Sequence, residues 1–156
     1  METIAHVFGN KLRIRGVGVC IEAGQLLLVN HSGMGAMEFW SPPGGGIEFK
    51  ESAEACIERE FLEETGLTVQ VCDFLFACEF IKEPLHAIEL FFEVKKISGT
   101  LTRGVDPEMK DHQIIQQLKF MDWSEIGLMD KSQLHGIFSK VDKVDKIIDL
   151  RGYFKL

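Results

Sequence analysis

A chain of 156 residues with 46% apolar content is long enough for one compact domain with its own core. The formal net charge of -7 argues against the clustered Lys and Arg of a duplex nucleic-acid binder, but a bound divalent cation would still admit small phosphorylated ligands. No apolar run approaches the ~20 residues that span a bilayer, and the N-terminal METIAHVFGNKLRIR lacks the pattern of a secretory signal. The expectation is a single domain over residues 1–156, cytoplasmic, with neither nucleic acid nor membrane as partner.

Residues Arg13 to Ile21 and Gln25 to Asn30 are rich in β-branched and aliphatic side chains and flank Glu22-Ala23-Gly24, the pattern of a β-hairpin. The stretch HSGMGAMEFWSPPGGG reads as loop with a brief extended piece around Phe39-Trp40. Ser52 is placed to cap a helix that ends at Gly66. Strands are expected over Thr68 to Phe80, with Asp73 as an interruption, and over His86 to Lys95. Ser98 to Gln116 reads as a long polar loop, Leu118 to Met121 as a short strand, Ser124 as a cap, and Ser132 to Ile148 as mostly helical. Strands with one helix inserted among them suggest an α/β domain, a mixed sheet with helices on its faces.

Cys20, Cys56, Cys72 and Cys78 include no C-x-x-C pair, and each sits in an apolar stretch. They read as reduced packing residues, not as a disulfide frame or zinc site.

Gly45, Glu51, Arg59, Glu60, Glu63, Glu64 and Gly66 stand in the order G-x5-E-x7-R-E-U-x-E-E-x-G-U, with apolar Phe61 and Leu67 at the U positions. A chance match has a probability of about one in 10^7 at ordinary residue frequencies. The segment resembles the Nudix box, the signature of hydrolases that cleave nucleoside diphosphates linked to another group. On a helix of about 100° per residue, Glu60 and Glu64 continue the stripe of Ala53 and Ile57 and so face inward. Carboxylates at ~4 Å repel by about 4 kcal/mol per pair at an effective dielectric of 20. An all-oxygen cluster calls for a hard cation, Mg²⁺ first and Mn²⁺ second. The competing reading is a surface ion-pair network in which Arg59 and nearby lysines neutralise the acids. Arg59 reaches Glu63 one turn on, and Gly44-Gly45-Gly46 lets the backbone approach a metal or phosphate closely.

The resemblance implies an α/β/α sandwich with a mixed, partly antiparallel sheet and a loop-helix-loop catalytic motif. It makes Glu60 and Glu64 metal ligands, Glu63 a ligand or base, and Glu51 with Glu48 supporting residues. Arg59, one turn from Glu63, orients a catalytic carboxylate, ahead of the alternative that it binds a phosphate. One departure is Lys50, where the family commonly has Gly; a positive φ there costs a non-Gly residue energy, so either the loop takes another path or Lys50 reaches toward a substrate phosphate. The expected reaction is Mg²⁺-assisted hydrolysis of a phosphoanhydride in a nucleoside triphosphate, ADP-ribose or nucleotide sugar. The base lies in the box or among Asp106, Glu108 and Asp111, with Glu108 preferred. Trp40 and Phe39 either stack on a base or pack in the core. Pro84 lies near an ADP-ribose marker but reads as an ordinary turn, and His86, His112 and His135 read as structural or surface histidines. A Nudix-like sensor that binds without cleaving, and a plain acidic-helix domain, are the alternatives. Family members often pair as homodimers.

Overall fold

A computed structural model describes residues 2–32, 38–104 and 115–156; Asp106, Glu108, Asp111 and His112 lie outside the described residues. Strands β1 (Leu12–Glu22) and β2 (Gln25–His31) form the expected hairpin, closed by Ala23 and Gly24 at φ 50° and 75°. Two successive positive φ values match the right-handed twist of the flanking strands. Beyond β2 come β3 (Phe39–Ser41) and β4 (Gly44–Gly46), then helix α2 (Ala53–Thr65) and the long hairpin β5 (Leu67–Lys82) and β6 (Leu85–Gly99). The chain continues through β7 (Ile115–Met121), α3 (Trp123–Ile126), α4 (Lys146–Asp149) and β8 (Gly152–Lys155); a short α1 (Glu2–Phe8) precedes them all.

The strands form one mixed sheet in the order β3-β2-β1-β6-β5-β8, with β4 paired to β1 and β7 to β2. β1 runs parallel to β6, with Arg15 opposite Glu89, while β5 is antiparallel to β6. Alternation along the strands divides the core between two faces. Cys20, Leu27, Val69 and Val94 face Ile57 and Phe61 of α2. Val17, Val19, Leu26, Leu28, Phe76 and Phe91 face Ile137, Phe138, Val144 and Ile147 of the C-terminal segment. Helix, sheet and C-terminal segment are therefore three layers, as the resemblance implied.

Several expectations need correction. The glycine run expected as loop is strand β4, held antiparallel to Arg15, Gly16 and Val17. Asp122, not Ser124, caps α3: its side chain accepts from the Glu125 amide at 3.1 Å. Residues 132–148 are not one helix but 3-10 turns at Lys131–Gln133 and Gly136–Lys140, followed by α4. The apolar spacing of Leu134, Ile137, Phe138, Val141 and Val144 imitates a helix, but the i, i+3 repeat serves short 3-10 turns equally well. Strand β5 does slip register between Val71 and Phe74, at the expected Asp73 interruption. Cys20, Cys56 and Cys78 are buried and Cys72 partly exposed, all as free thiols. Burial pushes the Cys20 and Cys56 thiols up to about 11 and Cys78 to about 12. Among the described residues no helix is long and apolar enough to cross a membrane.

Candidate active site

Helix α2 is bounded by its own sequence. The Ser52 hydroxyl accepts from the Ala55 amide at 3.0 Å, and Gly66, at φ 75°, donates its N–H to the Leu62 carbonyl. Between these ends Cys56, Ile57, Glu60, Phe61, Glu64 and Thr65 are buried. Glu60 and Glu64 are only 6% and 3% exposed, whereas the Glu63 side chain is 32% exposed. The inward placement of the first two follows from helical period; Glu63 sits at the edge of that stripe.

Strand β4 crosses directly in front of them. A Cβ at Gly45 would lie 2.2 Å from Glu60 Oε1, so any other residue here would push the carboxylate from its place. The Gly44 amide donates to Glu64 Oε1 at 3.3 Å. Burial pushes the Glu60 carboxyl up, opposed by hydrogen bonding to Glu64 and by Arg59, with the Glu63 charge adding to the rise. Two buried carboxylates in contact need a proton or a cation between them.

Arg59 organises the rest. Its Nε and Nη2 grip Glu51 in two bonds of 2.7 and 3.0 Å, while Nη1 donates to Glu60 at 2.9 Å and to Glu63 at 3.3 Å. The hydrogen bond from Arg59 is the main reason the Glu51 carboxyl is held below its usual range. Glu51 also accepts from the Glu48 amide at 2.9 Å, which pins the loop before α2. Contrary to a rerouted loop, Lys50 itself adopts the positive φ, 71°, and its exposed ammonium lies 5.7 Å from the Phe49 ring, outside the cavity lining.

The carboxylates open onto a cleft of about 920 Å³, its solvent-filled mouth included. Glu60, Glu64, Gly44 and Gly45 line one side. Arg13 and Arg15 of β1 and Glu89 of β6 form the floor, and Phe8, Phe39 and Phe80 give the cleft an aromatic wall. Trp40 is not part of it: at 3% exposure it packs in the core, so of the two aromatics Phe39 alone reaches the cleft.

The floor carries an ionic group that the sequence reading missed. Glu89 pairs with Arg15 and also contacts His135 Nε2 at 2.7 Å through its other oxygen. Arg15 Nη2 donates to the Gly44 carbonyl at 3.3 Å. His31 lies nearby, its Nε2 3.9 Å from Glu64 Oε2. The available signals were the alternation Arg13-x-Arg15 in a strand of otherwise apolar character and Glu89 within the apolar run AIELFF. Neither reveals its partner across the sheet.

Among the described residues no three His, Cys, Asp or Glu side chains already converge as a coordination shell, and Arg59 Nη1 occupies one oxygen each of Glu60 and Glu63. The donor chemistry nevertheless fits a hard cation: all oxygen, anionic and closely set, in a cradle that a side chain at position 45 would fill.

The family model for the NUDIX domain matches residues 12–139, and the chain belongs to that family. The RNA pyrophosphohydrolase of Actinobacillus pleuropneumoniae serotype 5b (strain L20) is 35% identical over 65 residues, 42% of this chain. The match spans only 30% of that relative's length. A NUDIX hydrolase from Nitrosomonas europaea has the same fold, with a TM-score of 0.69 at 19% identity over 89% of this chain and 87% of that one. An ADP-ribose pyrophosphatase from Streptococcus suis 89-1591 superposes with a TM-score of 0.62 at 14% identity, covering 91% of this chain and 98% of that one.

Proposed function

We propose that this protein hydrolyses a phosphoanhydride bond in a nucleoside diphosphate-linked substrate with the help of Mg²⁺ or Mn²⁺. The observation that carries the reading is the pair Glu60 and Glu64, buried in contact with one another and open to the cleft beside Gly44 and Gly45. Glu60, Glu63 and Glu64 would hold the cation. When bound, it would neutralise the diphosphate and lower the pKa of a water. Arg59 orients Glu60 and Glu63, and the Glu51 carboxylate keeps Arg59 in place. Glu63, the most exposed of these three acids, or Glu108, outside the described residues, accepts the proton from the attacking water. Phe39, Phe8 and Phe80 provide apolar surface for the nucleoside, while Lys50 would meet only a part of the substrate outside the cleft.

The name of the curated relative suggests RNA as one substrate class; ADP-ribose, nucleoside triphosphates and nucleotide sugars complete the panel. A cytoplasmic enzyme, alone or as a homodimer, suits this reading. Glu64→Gln and Glu63→Gln test it. Each removes one negative charge from a crowded cluster, so the fold should hold while turnover falls at least 100-fold, about 2.7 kcal/mol of transition-state stabilisation. Unchanged turnover in both variants would remove the proposed metal site. Substrate binding without turnover in the unmodified protein would favour a sensor instead.

A further inference from the structure

We propose that His135, Glu89 and Arg15 are positioning residues that set the Glu64 carboxylate, so that divalent-cation affinity depends on a side chain from the C-terminal segment. This rests on the reading of Glu64 as a metal ligand. His135 Nδ1 accepts the Ile137 N–H at 3.1 Å, which leaves the ring proton on Nε2. That N–H must then be the donor to Glu89 Oε1 at 2.7 Å. The other Glu89 oxygen takes Arg15 Nη1, Arg15 Nη2 holds the Gly44 carbonyl at 3.3 Å, and the Gly44 amide holds Glu64 Oε1 at 3.3 Å. A line of hydrogen bonds thus crosses the cleft floor from the turn at Gly136–Lys140 to Gly44, whose own backbone joins its carbonyl to the amide that meets the box helix.

A purely structural role accounts poorly for these charges. Arg15 and Glu89 are already neighbours through the backbone pairing of β1 and β6, so the ion pair is not needed to set the register. The Glu89 and His135 side chains are 4% and 8% exposed, and a well-packed apolar pair would be as stable in such a place. What an apolar pair could not do is hold the Gly44 carbonyl, and through that residue's backbone the amide that sets the angle at which Glu64 faces the cleft. Partners of this outer kind are typically worth about 10- to 100-fold in metal affinity or activity.

The test is Mn²⁺ binding, read from the loss of the free-ion EPR signal, in the full chain and in Glu89→Gln, His135→Asn and His135→Gln, with thermal unfolding run alongside. Asn at 135 keeps an acceptor for the Ile137 amide but cannot reach Glu89; Gln places an N–H where Nε2 stood. Affinity should weaken about tenfold or more in Glu89→Gln and His135→Asn, and return to within about threefold of the unmodified protein in His135→Gln. Should Glu89→Gln fail to fold, His135→Asn decides the matter. Equal affinity in all folded variants would overturn the relay while leaving the metal site intact. No Mn²⁺ binding by the unmodified protein would instead overturn the metal site, and the relay with it.

Discussion

Burial and the nearby Arg15 charge push the His31 imidazole down from 6.5 to about 4. The folded protein keeps this ring neutral where the unfolded chain would take up a proton. Between those two values the unfolded state binds the extra proton, so stability falls as pH drops from 6.5 toward about 4. Glu89 acts in a lower window. Burial raises its carboxyl, but His135 and Arg15 outweigh that and hold it at about 2, below the usual 4.5. Its contribution is complete above 4.5 and is lost as pH falls toward 2. The melting temperature should therefore begin to decline below pH 6.5, and His31→Gln should flatten the upper part of that decline, by at most about 3 kcal/mol. An identical decline in the variant would contradict the account of His31. The box acids were legible because one helix and one loop fix their geometry. Arg15, Glu89 and His135 were not, since residues 74 and 46 positions apart meet only through the pairing of β1 with β6 and the return of the C-terminal segment.

At the scale of elements, α2 must end where it does for β5 to begin at Leu67 and for Glu64 to stay beside Gly44. Both of its boundaries were readable from Ser52 and Gly66, because capping is a local interaction. Residues 132–148 were misread because apolar spacing alone does not distinguish a helix from successive 3-10 turns tied to the sheet. The two caps make a quantitative contrast. Ser52→Ala removes one capping bond and should cost about 1 kcal/mol. Gly66→Ala forces a Cβ into a left-handed residue and to within 2.8 Å of the Thr100 carbonyl, and should cost more, about 2 kcal/mol. Urea unfolding of both variants checks the order; a neutral Gly66→Ala would mean that the helix end can rearrange.

The whole molecule divides its labour between the two faces of one sheet. Ile57 and Phe61 anchor α2 to one face, while the cleft opens on the other, floored by β1 and β6 and walled by Phe8, Phe39 and Phe80. Glu60 and Glu64 reach that cleft past β4, which is built wholly of glycine. The sheet class and box helix followed from sequence pattern, whereas the short strands β4 and β8 depend on what they pair with. The most direct measurement is release of phosphate or nucleoside monophosphate from a panel of nucleoside triphosphates, triphosphorylated RNA, ADP-ribose and nucleotide sugars, each with Mg²⁺, Mn²⁺ or EDTA. The account predicts turnover of one class that depends on the cation and stops with EDTA. Turnover that persists in EDTA, or none with any substrate and either metal, would contradict it.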